Sequence, residues 1–282
     1  MKNRALAVPY VVWMAVFVVA PLVLIVAYAF TAKSGGLTLD NFSNMGQYLP
    51  AFQHSFALAA AATVLCILIG YPLAYFLSKE SLMVRKVAMM LIMLPMWMNF
   101  LLRTYAWMSL LDDNGLINQA LEAIGVFDLI NGLFGTNLRF FHMINTQGAI
   151  VLGMVYNFLP FMIMPVFSVI DKIDPKVIEA AQDLGADSVM VFRKVVFPLS
   201  LPGVLSGVTM VFIPAVSTFA LSRLLGGGKT LLLGDLIEMQ FLGNAYNPHL
   251  GSAIALVMMV IVLLCMAIMN RFGEGEEGVA VL

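Results

Sequence analysis

The chain has 282 residues, of which 61% are hydrophobic and only 11% are Asp, Glu, Lys or Arg. Soluble globular domains contain about 25% charged residues, so this composition excludes a soluble enzyme, a secreted disulfide scaffold and a disordered chain. The net charge of −1 is uninformative as a total. Most of the apolar surface has to face lipid, because a soluble domain of this size could not bury it.

Six apolar blocks follow one another along the chain, each of the length that a helix needs to cross a bilayer, about 20 residues or slightly more. Backbone groups in lipid must bond within their own segment, and the blocks show no apolar–polar alternation, so helices are predicted and a barrel is not. The blocks are Val8–Phe30, Phe56–Leu77, Val87–Leu111, Gly148–Ile170, Leu205–Leu225 and Leu250–Met269. The sequence therefore predicts an all-α membrane protein with six transmembrane helices.

Lysines and arginines are distributed unevenly between the two sets of loops. Ten of the 15 lie at the termini and in the loops on the same side, three lie in the opposite loops, and two lie within helices. Basic loops stay in the cytoplasm, so both termini are predicted to be cytoplasmic. The outer loops have a surplus of acidic residues, which either raises the local concentration of a cation or is ordinary loop solvation.

The loop at residues 171–203 is the most organised cytoplasmic segment. Asp174 and Pro175 form a helix start, and Gly185 ends that helix. Helical spacing predicts an apolar stripe of Val177, Ile178, Ala181 and Leu184. A second short helix follows, and Pro198 with the next Pro-Gly pair is expected to separate it from the fifth transmembrane helix. Such a helical pair either docks into a partner protein or lies on the lipid surface.

Glu179-Ala180-Ala181, with Gly185 and Pro198 at fixed distances after it, resembles the EAA signature of ABC importer permeases. That signature has a leucine before the final proline, and Phe197 replaces it here. Other stretches resemble the polyamine (spermidine/putrescine) permeases of this family, namely Gly70-Tyr71-Pro72, Leu94–Trp107, and Leu159–Met162 with Pro165. The resemblance extends over nearly the whole chain.

The resemblance implies the fold of a type I ABC importer permease in the bacterial cytoplasmic membrane. Residues 1–50 would form the first helix and an outer loop, residues 51–270 the permease core, and residues 271–282 a flexible cytoplasmic tail. The implied function is a pore-forming subunit that moves polyamines with energy from ATP. The implied partners are two ATPase subunits, a second permease that is a sister chain, and an extracytoplasmic polyamine-binding protein. No nucleic acid is expected.

The chain itself is not expected to be an enzyme or to hold a cofactor or metal. It contains no G-x-x-x-x-G-K-[ST] sequence, so ATP and Mg²⁺ would be bound by the partner ATPase and energy must arrive mechanically. Within the family motif, Glu179 would anchor the short helix to the ATPase through a charge-assisted bond. Ala180 and Ala181 would allow close approach, and Gly185 would make the turn that precedes Pro198.

The substrate pathway is less clearly marked, because no Asp or Glu falls inside any apolar block. On a continuous third helix, Asn99, Arg103 and Trp107 would share a face. Trp97 and Trp107 would then line the route or serve as ordinary core aromatics. A cation beside a cationic substrate would repel it, so Arg103 is interpreted as a structural lock paired with a carboxylate of the partner permease. Weaker candidates, more typical of helix packing, are Tyr156, Asn157, Ser217 and Thr218.

Four acidic residues of the outer loops are candidates for a cation entrance. Asp112 and Asp113 follow the third helix, while Asp235 and Glu238 share a face of a short predicted helix. The alternative is that all four are solvated loop residues.

The sequence also leaves other functional classes open. A self-sufficient secondary transporter would leave the cytoplasmic loop unexplained, and permeases for sulfate, ferric ion or thiamine share the EAA loop.

Overall fold

The computed structural model describes residues 4–243 and 245–273. Within those ranges the regular structure is helical, apart from one isolated bridge between Thr31 and Leu37. The α-helices are α1 (Arg4–Met14), α2 (Ala20–Ala29), α3 (Asp40–Ser43), α4 (Leu49–Ser78), α5 (Leu82–Met93), α6 (Phe100–Leu111), α7 (Leu116–Ala123), α8 (Val126–Phe134), α9 (Gln147–Ile170), α10 (Pro175–Asp183), α11 (Ser188–Val191), α12 (Phe197–Ser217), α13 (Ala220–Leu224), α14 (Leu233–Leu242) and α15 (Pro248–Gly273). Of the tail expected at residues 271–282, residues 274–282 lie outside the described part.

Five helical segments are long and apolar enough to cross a membrane, and a sixth results if one bent pair of helices is counted as a single span. The five are Val8–Ala29, Asp40–Ser78, Gln147–Ile170, Ser188–Ser217 and Pro248–Met269, and the bent pair is Leu82–Trp97 with Phe100–Ala123. The all-helical membrane architecture predicted from hydropathy is therefore confirmed. The detailed course of the third and fifth spans differs from the prediction.

The third span is broken, and the prediction of one continuous helix over Val87–Leu111 is wrong. Its two halves meet at an angle of 93°. A 3₁₀ turn that contains Pro95 ends at Met98, whose backbone is extended. Asn99 then starts α6 as its N-cap, and its side-chain oxygen accepts a hydrogen bond of 2.8 Å from the N–H of Leu101. Proline and an N-cap in succession therefore end one helix and begin another.

The fifth span is continuous with the second short helix of the cytoplasmic loop, so the predicted separation at Pro198 is wrong. A π-helical segment, Phe192–Val196, joins α11 to α12, and the N–H of Phe197 bonds to the carbonyl of Phe192. This wider ladder lies immediately before the proline, which has no N–H to donate. At its other end the helix stops at Ser217, earlier than the predicted Leu225.

The centre of the bundle is formed by α4, α9 and α12, which pack closely around Met162. A Cβ atom added at Gly70 would lie 3.0 Å from Cγ of Met162, and one added at Gly207 would lie 2.6 Å from its Sδ. Glycines at these two positions therefore let α4 and α12 both approach the Met162 side chain of α9. Next to Gly70, the Tyr71 hydroxyl is hydrogen-bonded to the Ser200 hydroxyl at 2.8 Å, which ties α4 to α12.

Candidate functional site

The segment from Asp171 to Val191 forms a helical hairpin, which we call the α10–α11 hairpin. Asp174 is the N-cap of α10, and its carboxylate accepts a hydrogen bond of 3.0 Å from the N–H of Lys176. Pro175 is the first helical residue, where its missing N–H costs nothing. Gly185 follows the helix with φ of +83°, a conformation that favours glycine. The predicted beginning and end of this helix are therefore confirmed.

The two sides of α10 have different surroundings. Ile178 and Ala181 pack inward against the cluster that contains Val191 and Val196. Leu184 points away from the bundle and is 90% exposed, and Val177 is also exposed. The prediction of one apolar stripe through all four positions is therefore wrong, because in a helix of nine residues only the Ile178–Ala181 side contacts the bundle.

The outward face of the hairpin combines the Glu179 carboxylate and other charged groups with exposed apolar side chains. Glu179 and Ala180 are exposed, and the Glu179 carboxylate makes no hydrogen bond or ion pair with any other described residue. Exposed aliphatic side chains surround this position, with Val189 on the following helix in addition to Leu184. An exposed apolar patch bordered by charged side chains is typical of a surface that binds another protein.

Gly185 and Pro198 occupy different parts of this region. A Cβ added at Gly185 would meet nothing within 4 Å, so the positive φ is what restricts this position. Pro198 is half-buried in the first turn of α12, beyond the π-helical segment. Of the motif residues, only Glu179, Ala180 and Gly185 are thus exposed on the hairpin, while Ala181 supports it from within.

The break in the third span separates the pathway candidates that were placed on one helical face. Trp97 precedes the bend and is 79% exposed. Asn99 lies at the bend, and its side-chain oxygen is used in capping α6. Arg103 and Trp107 follow in α6, four residues apart. The predicted shared face therefore holds for Arg103 and Trp107 only.

Arg103 and Trp107 both contact Tyr156 of α9. The rings of Trp107 and Tyr156 have centroids 5.4 Å apart in an edge-to-face arrangement, and Cζ of Arg103 lies 5.9 Å from the Tyr156 centroid. Nε and Nη1 of Arg103 are buried without a hydrogen-bond acceptor among the described residues. A buried cation with unpaired donors is costly, so this position calls for an acceptor that the described chain does not supply.

A cleft of about 470 Å³ lies where two helix breaks approach each other. Thr218 is extended between α12 and α13, and the first turn of α6 lies opposite. The cleft is lined by Phe100, Leu101, Pro214, Ser217, Thr218, Phe219 and Ala220. Interrupted helices in membrane proteins are tolerated where they line a cavity or are buried in protein. Ser217 and Thr218, predicted as candidates more typical of helix packing, instead lie where α12 ends and border this cleft.

Asp235 and Glu238 are joined through Arg223. Asp235 is 3% exposed and accepts hydrogen bonds from the Ser222 hydroxyl and from the N–H of Leu232. Arg223 lies with Nε 3.4 Å from Asp235 and also pairs with Glu238. Burial raises the pKa of Asp235, although its hydrogen bonds and Arg223 act in the opposite direction. The expectation of an open, solvent-facing carboxylate is therefore wrong for Asp235.

Asp112 and Asp113 are more accessible. Asp112 is exposed, and its carboxylate accepts a hydrogen bond of 3.0 Å from the N–H of Asn114. Asp113 lies 2.9 Å from Nδ1 of His142. Among the described residues, no hydrogen bond or ion pair connects this pair with Asp235 and Glu238. The structure thus divides the four acids into one pair that is joined through Arg223, in which Asp235 is buried, and a second pair that is more exposed.

Comparison with known proteins assigns the class. Residues 4–274 match the family described as binding-protein-dependent transport system inner membrane component. The chain belongs to this family and is a multi-pass inner-membrane subunit rather than an enzyme. A permease chain of a bacterial ABC transporter for the acidic polysaccharide alginate aligns with a TM-score of 0.79 and 16% identity, covering 96% of this chain and 94% of that chain. The fold is therefore that of a type I ABC importer permease.

Within this family, the chain is similar in sequence to permease proteins of one particular kind. The chain is 34% identical over 267 residues to the spermidine/putrescine transport system permease protein PotB of Haemophilus influenzae, which covers 92% of this chain and 90% of the relative. The PotB protein of Escherichia coli strain K12 has the same identity over the same length and covers 93% of that relative. The likeness to PotB proteins thus includes nearly all of both chains.

Proposed function

We propose that this chain is one of two pore-forming permease subunits of an ATP-driven importer of polyamines such as spermidine and putrescine. The 34% identity to PotB proteins over 92% of the chain carries this proposal. The second permease is a sister chain, two ATPase subunits bind ATP and Mg²⁺, and an extracytoplasmic polyamine-binding protein delivers the substrate. Both termini and the α10–α11 hairpin face the cytoplasm, in agreement with the distribution of lysines and arginines.

The α10–α11 hairpin is the docking element for the ATPase. Its outward face offers an unpaired carboxylate at Glu179, small side chains at Ala180, and an exposed Leu184. Ala181 and the left-handed Gly185 hold this face in position from below and at the end of the helix. Pro198 contributes to the same docking element from the first turn of α12, the helix that forms the fifth span and connects it to the hairpin.

Substrate crosses beside the two helix breaks. The cleft between Thr218 and Phe100 offers aromatic faces and hydroxyl groups, which suit the methylene chain and the ammonium groups of a polyamine. Trp97 and Trp107 lie before and after the bend at Asn99 and contribute further aromatic faces. Asp112 and Asp113 form the acidic entrance, and Glu238 and Asp235 add negative charge on the same side of the membrane. Arg103 is a structural lock whose unpaired donors bind a carboxylate of the sister permease.

Uptake of radiolabelled spermidine tests the function. Cells without polyamine uptake of their own receive the ATPase, both permeases and the binding protein, or the same set without this chain. We expect ATP-dependent uptake only with the full set, and competition by unlabelled putrescine. Competition by sulfate, ferric ion or thiamine instead, or uptake without this chain, would contradict the proposal.

A further inference from the structure

All three nitrogens of the Arg85 guanidinium group make contacts where three helices end or begin. Its Nε donates a hydrogen bond of 2.6 Å to the carbonyl of Glu80, and Nη2 donates to the carbonyl of Ser78. Its Nη1 forms an ion pair with the carboxylate of Asp171. We call these four residues the Arg85 clamp. Each nitrogen of one side chain thus bonds to a different acceptor.

The acceptors belong to separate elements of the bundle. Ser78 is the last residue of α4, Glu80 lies in the turn that follows, and Asp171 is the C-cap of α9. Arg85 itself lies in the first turn of α5. Carbonyls at a helix C-terminus lack partners within the helix, and an arginine supplies the missing donors. The clamp therefore fixes the ends of α4 and α9 relative to the start of α5.

The position of Asp171 is unfavourable without Arg85. A carboxylate at the C-terminus of a helix lies at the negative end of the helix dipole, where cations are favoured. The local helix therefore gives no reason for an acid here, while the ion pair across to α5 does. The two side chains remain 26% and 41% exposed, and ion pairs with such exposure contribute little to folding stability. The Arg85 guanidinium group is planar and rigid, and its three contacting donors therefore suit holding the helix ends in fixed positions.

The clamp lies at the junction between the α10–α11 hairpin and the membrane-spanning helices. Asp171 is three residues before Asp174, the N-cap of α10. A cavity of about 270 Å³ lies between the clamp and the hairpin, and its lining includes Arg85, Asp171, Ile178 and Gln182. The hairpin is thus connected to the bundle on two sides, through the segment with Asp171 and through the continuous helix from α11 into α12.

We propose that Arg85 is a positioning residue that transmits movement of the α10–α11 hairpin, through Asp171, to α4 and α5 together. This inference depends on the proposed docking of the hairpin on the ATPase. From α5 the chain runs through the 3₁₀ turn to the bend at Asn99, and α6 then borders the cleft beside Thr218. Displacement of the hairpin thereby reaches the broken third span as well as the fifth.

The test compares complexes reconstituted in proteoliposomes with the ATPase, the sister permease and the substrate-loaded binding protein. The variants are Arg85→Gln and Asp171→Asn, and Lys86→Gln is the control because it removes an adjacent, exposed cation. Spermidine uptake and ATP hydrolysis are measured together. We expect uptake to fall about tenfold in both variants, within the usual range for coupling between sites, while ATP hydrolysis persists. The ATP consumed per spermidine should therefore rise, and Lys86→Gln should match the wild type.

An unchanged ratio of ATP to spermidine in both variants would overturn the proposal, as would an equal effect of Lys86→Gln. Asp171→Asn removes the negative charge that pairs with Arg85 and keeps the carbonyl contacts of Arg85, so it decides the question if Arg85→Gln does not assemble. Co-purification of the ATPase separates this proposal from the docking role of the hairpin. Failure of docking would leave the wild-type permease without ATPase, whereas failure of the clamp proposal would leave the ATPase bound and the ratio unaltered.

Discussion

The hydroxyl of Ser222 donates a hydrogen bond to the carboxylate of Asp235, and both residues are buried. Asp235 also receives the N–H of Leu232 at the start of α14. The carboxylate thereby ties α13 to α14, directly after the break that ends the fifth span. Its desolvation is large enough to affect its protonation.

The stability of this tie should depend on pH. Burial raises the pKa of Asp235, so between its ordinary and its raised value the folded chain binds a proton that the unfolded chain has released. Such a group contributes most stability at low pH, and that contribution falls as the pH rises through the raised pKa. The melting temperature of the purified complex should therefore decline with pH in this window relative to Asp235→Asn. The hydrogen bond from Ser222 favours the charged carboxylate and lowers the pKa of Asp235. Ser222→Ala removes this bond and should therefore extend the window to higher pH. Parallel profiles for wild type and Asp235→Asn would contradict the expected pKa.

Gly185→Val should abolish most uptake while the chain still inserts in the membrane. The φ of +83° costs an ordinary L-residue about 1–2 kcal/mol, although the position has space for a side chain. Asparagine tolerates this conformation far better, so Gly185→Asn is the matched control and should keep substantial uptake. Uptake assays on both variants, with membrane levels measured by immunoblot, check the prediction. Equal loss in both variants would point to the side chain's bulk at the ATPase surface rather than to the backbone.

Glu179→Gln should weaken binding of the ATPase without unfolding the permease. A hydrogen bond to a charged group contributes about 1.5–3 kcal/mol, which corresponds to roughly 10- to 150-fold in affinity. Retention of the ATPase on immobilised permease measures this loss. Glu122→Gln replaces an exposed acid on α7 and should retain the ATPase like the wild type. Wild-type retention by Glu179→Gln would remove Glu179 from the docking surface.

Asp112→Asn with Asp113→Asn should raise the half-saturating spermidine concentration at low ionic strength. Exposed charge pairs contribute about 0.2–1 kcal/mol each, so the combined effect of the two should be about two- to thirtyfold. Because salt screens exposed charges beyond a Debye length of about 8 Å, the difference should shrink at high ionic strength. Uptake measured at two salt concentrations checks this. An unchanged half-saturation at low salt would identify both as ordinary loop residues.

Thr218→Trp should block uptake by filling the cleft between the two helix breaks. The cleft has about 470 Å³ and opens beside Phe219, so an indole group would occupy a large part of it. Met210→Trp places the same indole group at an exposed position of α12 and should transport normally. ATP hydrolysis should persist in both variants. Normal uptake by Thr218→Trp would exclude this cleft from the pathway.

Local signals were sufficient for the features that depend on neighbouring residues. The lengths of the apolar blocks predict the membrane spans, and the Asp174 cap and Gly185 predict α10 correctly, because capping and left-handed backbone depend on a few adjacent residues. Pro95 and Asn99 also carried a local signal for the break in the third span. Hydropathy conceals that signal, since the apolar composition continues across the break.

Features that depend on distant residues could not be predicted in this way. The helix continues past Pro198 where Tyr71 packs against Phe192 and Phe197, with ring centroids 6.0 and 5.8 Å away. Tyr71 belongs to α4, which is distant in sequence from both phenylalanines. Asp235 is buried because Ser222 and Arg223, 13 and 12 residues earlier, fold back on it. Sequence spacing on one short helix gives no information about such partners.

The uninterrupted helix from Ser188 to Ser217 makes the fifth span a lever. At 1.5 Å per residue its 30 residues extend about 45 Å, and its two ends lie at the hairpin and at the cleft beside Thr218. A tilt of about 5° would displace the far end by about 4 Å over that length. Because the helix is continuous from the hairpin to the cleft, a small rotation where the ATPase docks becomes a change in cleft width comparable to the diameter of a methylene chain.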